Sequence, residues 1–223
     1  MQKGFSLIEL IIVITVAFIL TGISFFLLTS HQRLFKPDEQ VLKIADILQE
    51  ARQRALTQRE TMRVEIDLTD NSVRLIDENS PTTHTDDKLI RQISLFPPQE
   101  VRIDTRPPGI SFDPPEMISV PPATFPISVY PPSVAHNVCT LRFLRNGSVV
   151  NAGTDPIGSN ASLTSAAIFV WSPRNGNPSQ YEIARAITVV GTTGFIRLWE
   201  YDPNLSTPNK WKDSRRFSSG GLP

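Results

Sequence analysis

Glu9 is the only formally charged side chain between Phe5 and Gln32, in a stretch that is otherwise almost wholly apolar. An acid taken to the middle of a bilayer costs roughly 2.5–3.5 kcal/mol on the insertion scale, so its presence needs a partner or a purpose. On a helix, Phe5 and Glu9 stand four residues apart and share one face. The other group able to do chemistry lies at the far end, where Lys210, Lys212, Arg215 and Arg216 interleave with Trp211 and Phe217. Basic side chains among aromatic ones can hold a nucleic-acid backbone and stack its bases. A solvated, frayed terminus has the same composition. No G-x-S-x-G, no H-E-x-x-H, no phosphate loop and no histidine beside a nucleophile occurs, so neither a catalytic residue nor a cofactor is predicted. Cys139 stands alone and excludes an intramolecular disulfide and a multi-cysteine metal site. His31, His84 and His136 lack zinc-site spacing, and Asp86-Asp87 is too sparse for a calcium loop, so no metal is predicted.

The elements that position Glu9 follow from hydropathy. Leu10 to Leu28 is a 19-residue apolar run; at ~1.5 Å per residue it reaches about 28 Å, close to one bilayer core. The run is too long for an ordinary cleaved secretory signal, and Thr29-Ser30-His31-Gln32-Arg33 follows it. An uncleaved signal anchor is one alternative. Pro37 lacks an amide donor and should kink or restart the helix. Beyond it Val41, Ala45, Leu48, Ala51 and Ala55 recur at intervals of three and four, with Ile44 and Leu56 widening the stripe. That spacing predicts an amphipathic helix to about Thr61, its apolar face against the rest of the chain.

Met1-Gln-Lys-Gly4 followed by Phe5-Ser-Leu-Ile-Glu9-Leu and the apolar run resembles the class III signal of type IV pilins and type II secretion pseudopilins. The resemblance implies cleavage by a membrane prepilin peptidase between Gly4 and Phe5, N-methylation of Phe5, and a subunit-assembly contact between Glu9 and the Phe5 amine of a neighbour. The new ammonium would stand at a helix start, where the macrodipole also favours an acid. The alternative for Glu9 is a place at headgroup level. Ala45-x-x-Leu48-x-x-Ala51-Arg52-x-x-Ala55 is similar to the helix of one branch of that family, the GspH/FimT-type pseudopilins and minor pilins. Arg185 to Leu198 and Leu141 to Gly147 resemble its closing hairpin and the strand before it. A Gly-Arg-x-Arg motif is associated with DNA uptake in some FimT-like minor pilins; here the place reads Gly194-Phe195-Ile196-Arg197, without the first arginine.

Met62–Leu68 alternates like a half-buried strand, and Thr69–Ser72 then Val73–Asp77 complete a hairpin. Leu89–Leu95, Cys139–Phe143, Ala167–Trp171, Ala184–Val190 and Phe195–Tyr201 are further strands. Asn146-Gly147 predicts a type I′ turn. Five Pro-Pro pairs between Ser94 and Ser133 exclude a helix and a central strand there. The apolar residues between them predict a packed excursion, with a proline-motif ligand as the alternative.

One long helix before a run of strands predicts an α+β fold, with a membrane-spanning half and an amphipathic half packed on a mainly antiparallel sheet, pilin-like in layout. The expected organisation is a leader at 1–4, an assembly helix at 5–30, its amphipathic continuation at 31–61, a periplasmic β-rich head at 62–201 with a Pro-rich insertion at 97–132, and a polar, flexible tail at 202–223. Lys plus Arg and Asp plus Glu number 22 each, so overall charge draws the chain to no partner. The resemblance implies a structural subunit of a secretion pseudopilus or type IV pilus, with prepilin peptidase, other pilins and inner-membrane lipid as partners. It makes a major pilin a poor fit, since the apolar helix has no proline and the chain no disulfide. The alternative is a minor pilin that binds DNA at a filament tip through Lys210, Lys212, Arg215 and Arg216.

Overall fold

The structure, a computed structural model, describes residues 7–79, 85–111, 113–116, 120–130, 134–154, 158–205 and 210–214. The chain divides into two compact units, Met1–Phe35 and Lys36–Pro223. One helix, α1 (Leu7–Gln58), supplies residues to both. The helix continues through Pro37, where a kink or a restart was expected, so it does not restart there. Arg59 terminates it in the left-handed region at φ 60°.

The first unit is the apolar half of α1. Leu7–Ser24 is long and apolar enough to cross a membrane, and none of it is buried. Thr15, Thr21 and Ser24 donate their hydroxyls to the carbonyls of Ile11, Ala17 and Leu20, which satisfies them without water.

In the second unit the other half of α1 buries Val41, Ile44, Ala45, Ile47, Leu48, Ala51 and Ala55. The expected stripe is therefore present and gains Ile47. Leu56 leaves it, being 40 % exposed, because it lies one position past the core-facing Ala55. This face packs on two sheets. The first runs β3 (Lys88–Ser94), β2 (Ser72–Glu78), β1 (Thr61–Asp67), β5 (Val134–Phe143), β4 (Ile127–Tyr130), with β6 (Val149–Val150) also on β5. The second runs β10 (Trp211–Asp213), β9 (Phe195–Tyr201), β8 (Asn177–Val190), β7 (Ala166–Arg174). Every strand pairing is antiparallel. The architecture is α+β and pilin-like in layout: an N-terminal apolar helix, its continuation, then antiparallel sheets.

The core under α1 takes Met62, Val64 and Ile66 from β1 and Ile168 and Val170 from β7. The alternate residues of β7, Ala167, Phe169 and Trp171, enter a second core with Ile110, Val120, Trp199 and Trp211. Strand β7 is consequently buried on both faces. The proline-rich insertion builds that second core and also covers the edge of β7. Arg102 and Trp171 exchange backbone hydrogen bonds at 2.7 and 2.9 Å, and Ala167 bonds Pro121 and Ala123. This protects an edge that would otherwise invite another strand. It agrees with a packed excursion; Phe112 and Ile118 lie outside the described residues. Strand β4 forms at the end of the first sheet, the position proline-rich chain tolerates.

Two turns depart from expectation. At Arg145-Asn146-Gly147 only Gly147 has positive φ, and Leu144 N–H bonds the Ser148 carbonyl at 2.9 Å around a three-residue loop. A type I′ turn needs two positive φ angles; here the Asn146 side chain accepts from the Ser148 amide instead, and the residue keeps negative φ. The type I′ turn is found at Asn175-Gly176, with φ 52° and 75°, joining β7 to β8.

Candidate functional site

Glu9 lies in the first turn of α1, among exposed apolar neighbours. Gly4 and Phe5, the expected cleavage site and methylated terminus, lie outside the described residues.

The basic tail is different from its sequence reading. Residues 211–213 are strand β10, paired with β9 through Trp211–Tyr201, Lys212–Glu200 and Asp213–Trp199. Trp211 is buried in the second core, with its ring 5.2 Å from Tyr201 and 5.9 Å from Phe169. The expectation of a polar, flexible tail is therefore corrected for this stretch: a Trp every other residue from a lysine is a strand pattern with one buried face. Lys212 Nζ stands 3.5 Å from Glu200 and 3.6 Å from Asp202, and Lys210 Nζ donates to the Pro203 carbonyl at 2.8 Å. Trp211 is not presented for stacking, and both lysines have partners within the chain. Arg215 and Arg216 lie outside the described residues. Arg197 stacks over Phe195 at 5.2 Å and lies 3.7 Å from Glu116.

A charged layer that the alternation of β1 did not reveal covers the other face of the first sheet. Arg63, Glu65 and Asp67 are buried, although they alternate with the core residues of β1. Arg63 meets Glu65 at 2.9 Å, Glu78 at 2.5 Å and Asp87 at 2.8 Å. Arg142 joins Glu78 at 2.9 Å and also donates to the Ala152 carbonyl. Burial pulls the Arg63 pKa down, but Glu65, Glu78 and Asp87 outweigh it and hold it above the ordinary arginine value. The available signal was opposite charges facing one another across the β1–β2 hairpin, which alternation alone cannot distinguish from a solvated face.

Asp67, Asp70 and His136 bring metal-ligand atoms within 4.8 Å of one another. The Asp67 carboxylate is already engaged: Oδ1 accepts the Thr69 and Asp70 amides at 2.9 and 3.1 Å, and Oδ2 meets Arg74 Nη2 at 2.8 Å and His136 Nδ1 at 2.7 Å. An arginine at that distance already supplies the positive charge, and the group is an end of the ion-paired layer. Arg52, on α1, donates to the Thr193 carbonyl at 3.1 Å and ties the helix to the β8–β9 loop, a structural role.

Residues 1–25 match the prokaryotic N-terminal methylation motif, a type IV pilin-like prepilin signal. Such a motif implies processing by prepilin peptidase and assembly with other pilins, and with the apolar helix it is consistent with inner-membrane anchoring. Comparison with curated proteins gives no match, and comparison with solved structures gives none either.

Proposed function

We propose that this chain is a GspH/FimT-type subunit, a pseudopilin or minor pilin of a type II secretion pseudopilus or type IV pilus, and that its role is structural and not enzymatic. The observation that carries the reading is Glu9, one acid at the mouth of a fully exposed apolar helix whose first residues match the methylation motif. Cleavage between Gly4 and Phe5 leaves an ammonium group four residues before that acid. In the bilayer the two neutralise one another within a subunit; in a filament Glu9 receives the Phe5 amine of a neighbour and fixes axial register. The apolar helix leaves lipid and is covered by other helices, and the head faces the periplasm. A secretion pseudopilus is favoured over a pilus by the helix and closing-hairpin resemblance. The DNA-binding reading has less support, since Trp211 is buried and Lys210 and Lys212 are engaged within the head.

The test is the mass of the N-terminus of protein purified from its host. An N-methylated Phe5 start is expected, and Glu9→Ala should keep that start while removing the chain from the sheared filament fraction. An intact Met1 start, or a cut beyond Leu28, would end this reading.

A further inference from the structure

At the C-terminal end of α1 the head opens into a polar cleft of about 750 Å³, within the size range of small-molecule sites. It is lined by Arg59 and Glu60, which follow α1, by Asn79 after β2, by Arg145 in the β5–β6 turn, and by Ser159 and Asn160 beyond β6. The buried Arg142 also lines it, but its guanidinium is engaged by Glu78 and by the Ala152 carbonyl. Glu78 in turn lies 2.5 Å from Arg63 and 2.9 Å from Arg142, so that acid is balanced.

Arg59 and Arg145 differ from Arg142. Both are exposed, and neither side chain has an ion pair or hydrogen bond among the described residues. Arg59 also stands where an arginine is costly. It closes α1 at φ 60°, the left-handed position that glycine usually fills because a Cβ is crowded there. The other non-glycine residues of positive φ among the described residues are asparagines, which tolerate that region, and Asn160 of the same cleft is one of them. The helix macrodipole favours a cation at this end, but any position in the last turn would serve it. Stability alone would place glycine at 59. A cation held there against the backbone's preference is the pattern of a binding group.

We infer that this cleft binds an acidic sugar, a glycan unit that carries a carboxylate among hydroxyls. Arg59 and Arg145 present guanidinium forks, each able to hold a carboxylate through two parallel hydrogen bonds. Glu60, in the same cleft, accepts hydroxyl protons. Asn79 gives its amide to the Asp86 carbonyl at 2.7 Å and keeps its oxygen to accept. Ser159 and Asn160, whose side chains have no partner among the described residues, both donate and accept. A sugar hydroxyl is donor and acceptor at once and suits groups so interleaved. A nucleic-acid backbone fits less well, because Glu60 and Glu78 stand among the arginines and oppose a run of phosphates. An acidic peptide brings few hydroxyls for Glu60 to receive. The site does not depend on filament assembly, since every group in it belongs to the head.

Full-length protein in a zwitterionic detergent, titrated by calorimetry with sialyllactose and with tetragalacturonate, tests this. Lactose and maltotetraose serve as the uncharged counterparts. The expected result is saturable binding of an acidic sugar that weakens with salt, and none of either neutral one. Arg145→Gln and Arg59→Gly should each weaken it about tenfold, the loss of one charge-assisted contact. Neither change should harm the fold. Arg145 is exposed, and glycine relieves the left-handed position, so Arg59→Gly should melt no lower than the parent chain. Binding of neither acidic sugar would overturn the site. So would equal affinity for a thymidine oligonucleotide or for polyglutamate, which would make the cleft a general anion trap. Affinity unchanged in both variants would put the sugar elsewhere, and a lower melting midpoint for Arg59→Gly with affinity kept would make Arg59 a helix cap alone.

Discussion

Arg63 holds three carboxylates out of water, and its removal should be among the costliest single changes in the head. Arg63→Ala takes a cation away from Glu65, Glu78 and Asp87, leaving Arg74 against the first and Arg142 against the second, and a loss of about 3–5 kcal/mol is expected in denaturant unfolding. A surface-like loss below about 1 kcal/mol would show the layer to be open to solvent. Asp77 makes a pH prediction. Burial, then the charge and hydrogen bond of Glu60, raise its carboxyl above the ordinary value, against Lys88 and Arg54. The folded state therefore holds this proton more tightly than the unfolded chain. The stability it contributes is complete below the unfolded value and is lost as pH rises through the raised folded one. Asp77→Asn should accordingly flatten the thermal midpoint across that window and leave the low-pH midpoint unchanged; a steeper dependence in the variant would refute the sign.

At the scale of elements, Gly191 joins the two sheets. Its carbonyl accepts Val149 N–H of β6 at 2.7 Å and its amide bonds Ser165 Oγ at 2.9 Å. A Cβ placed there would lie 2.3 Å from the Thr164 carbonyl oxygen, a backbone atom that cannot swing aside. Gly191→Ala is expected to cost about 1–3 kcal/mol in chemical denaturation, as overpacking does. Much of the element list was legible in the sequence: periodicity located the helix face and the hairpin β1–β2, and the family resemblance marked the closing hairpin β8–β9. Strands β4, β6 and β10 were not, because two to four residues are too few for a period. The two Asn-Gly pairs are alike in sequence, and only the loop each must close separates a three-residue turn at 145–147 from a type I′ turn at 175–176.

For the molecule as a whole, the division at Phe35 has a consequence. A chain starting at Lys36 keeps both cores and should unfold as one cooperative transition; a head unable to fold without residues 1–35 would show as loss of that transition. The tail, in contrast, is not dispensable. Trimming from Pro203 removes β10 and the buried Trp211, and a loss of about 3–5 kcal/mol is expected from the large aromatic alone. Tests of nucleic-acid binding therefore belong to Lys210→Gln, Lys212→Gln, Arg215→Gln and Arg216→Gln in the full chain, because trimming changes the fold as well as the charge.

Glu9, the apolar run and the short basic leader were determined by sequence alone, because membrane insertion and peptidase processing read a contiguous segment and need no tertiary contact. The buried face of α1 was legible for the same reason, a local period of 3.6. Only the folded structure decided that the polar face of β1 is dry, that Trp211 is core and that the prolines cover an edge. Each of these depends on which distant segment arrives to cover a surface, and no local pattern of residue types encodes that arrival.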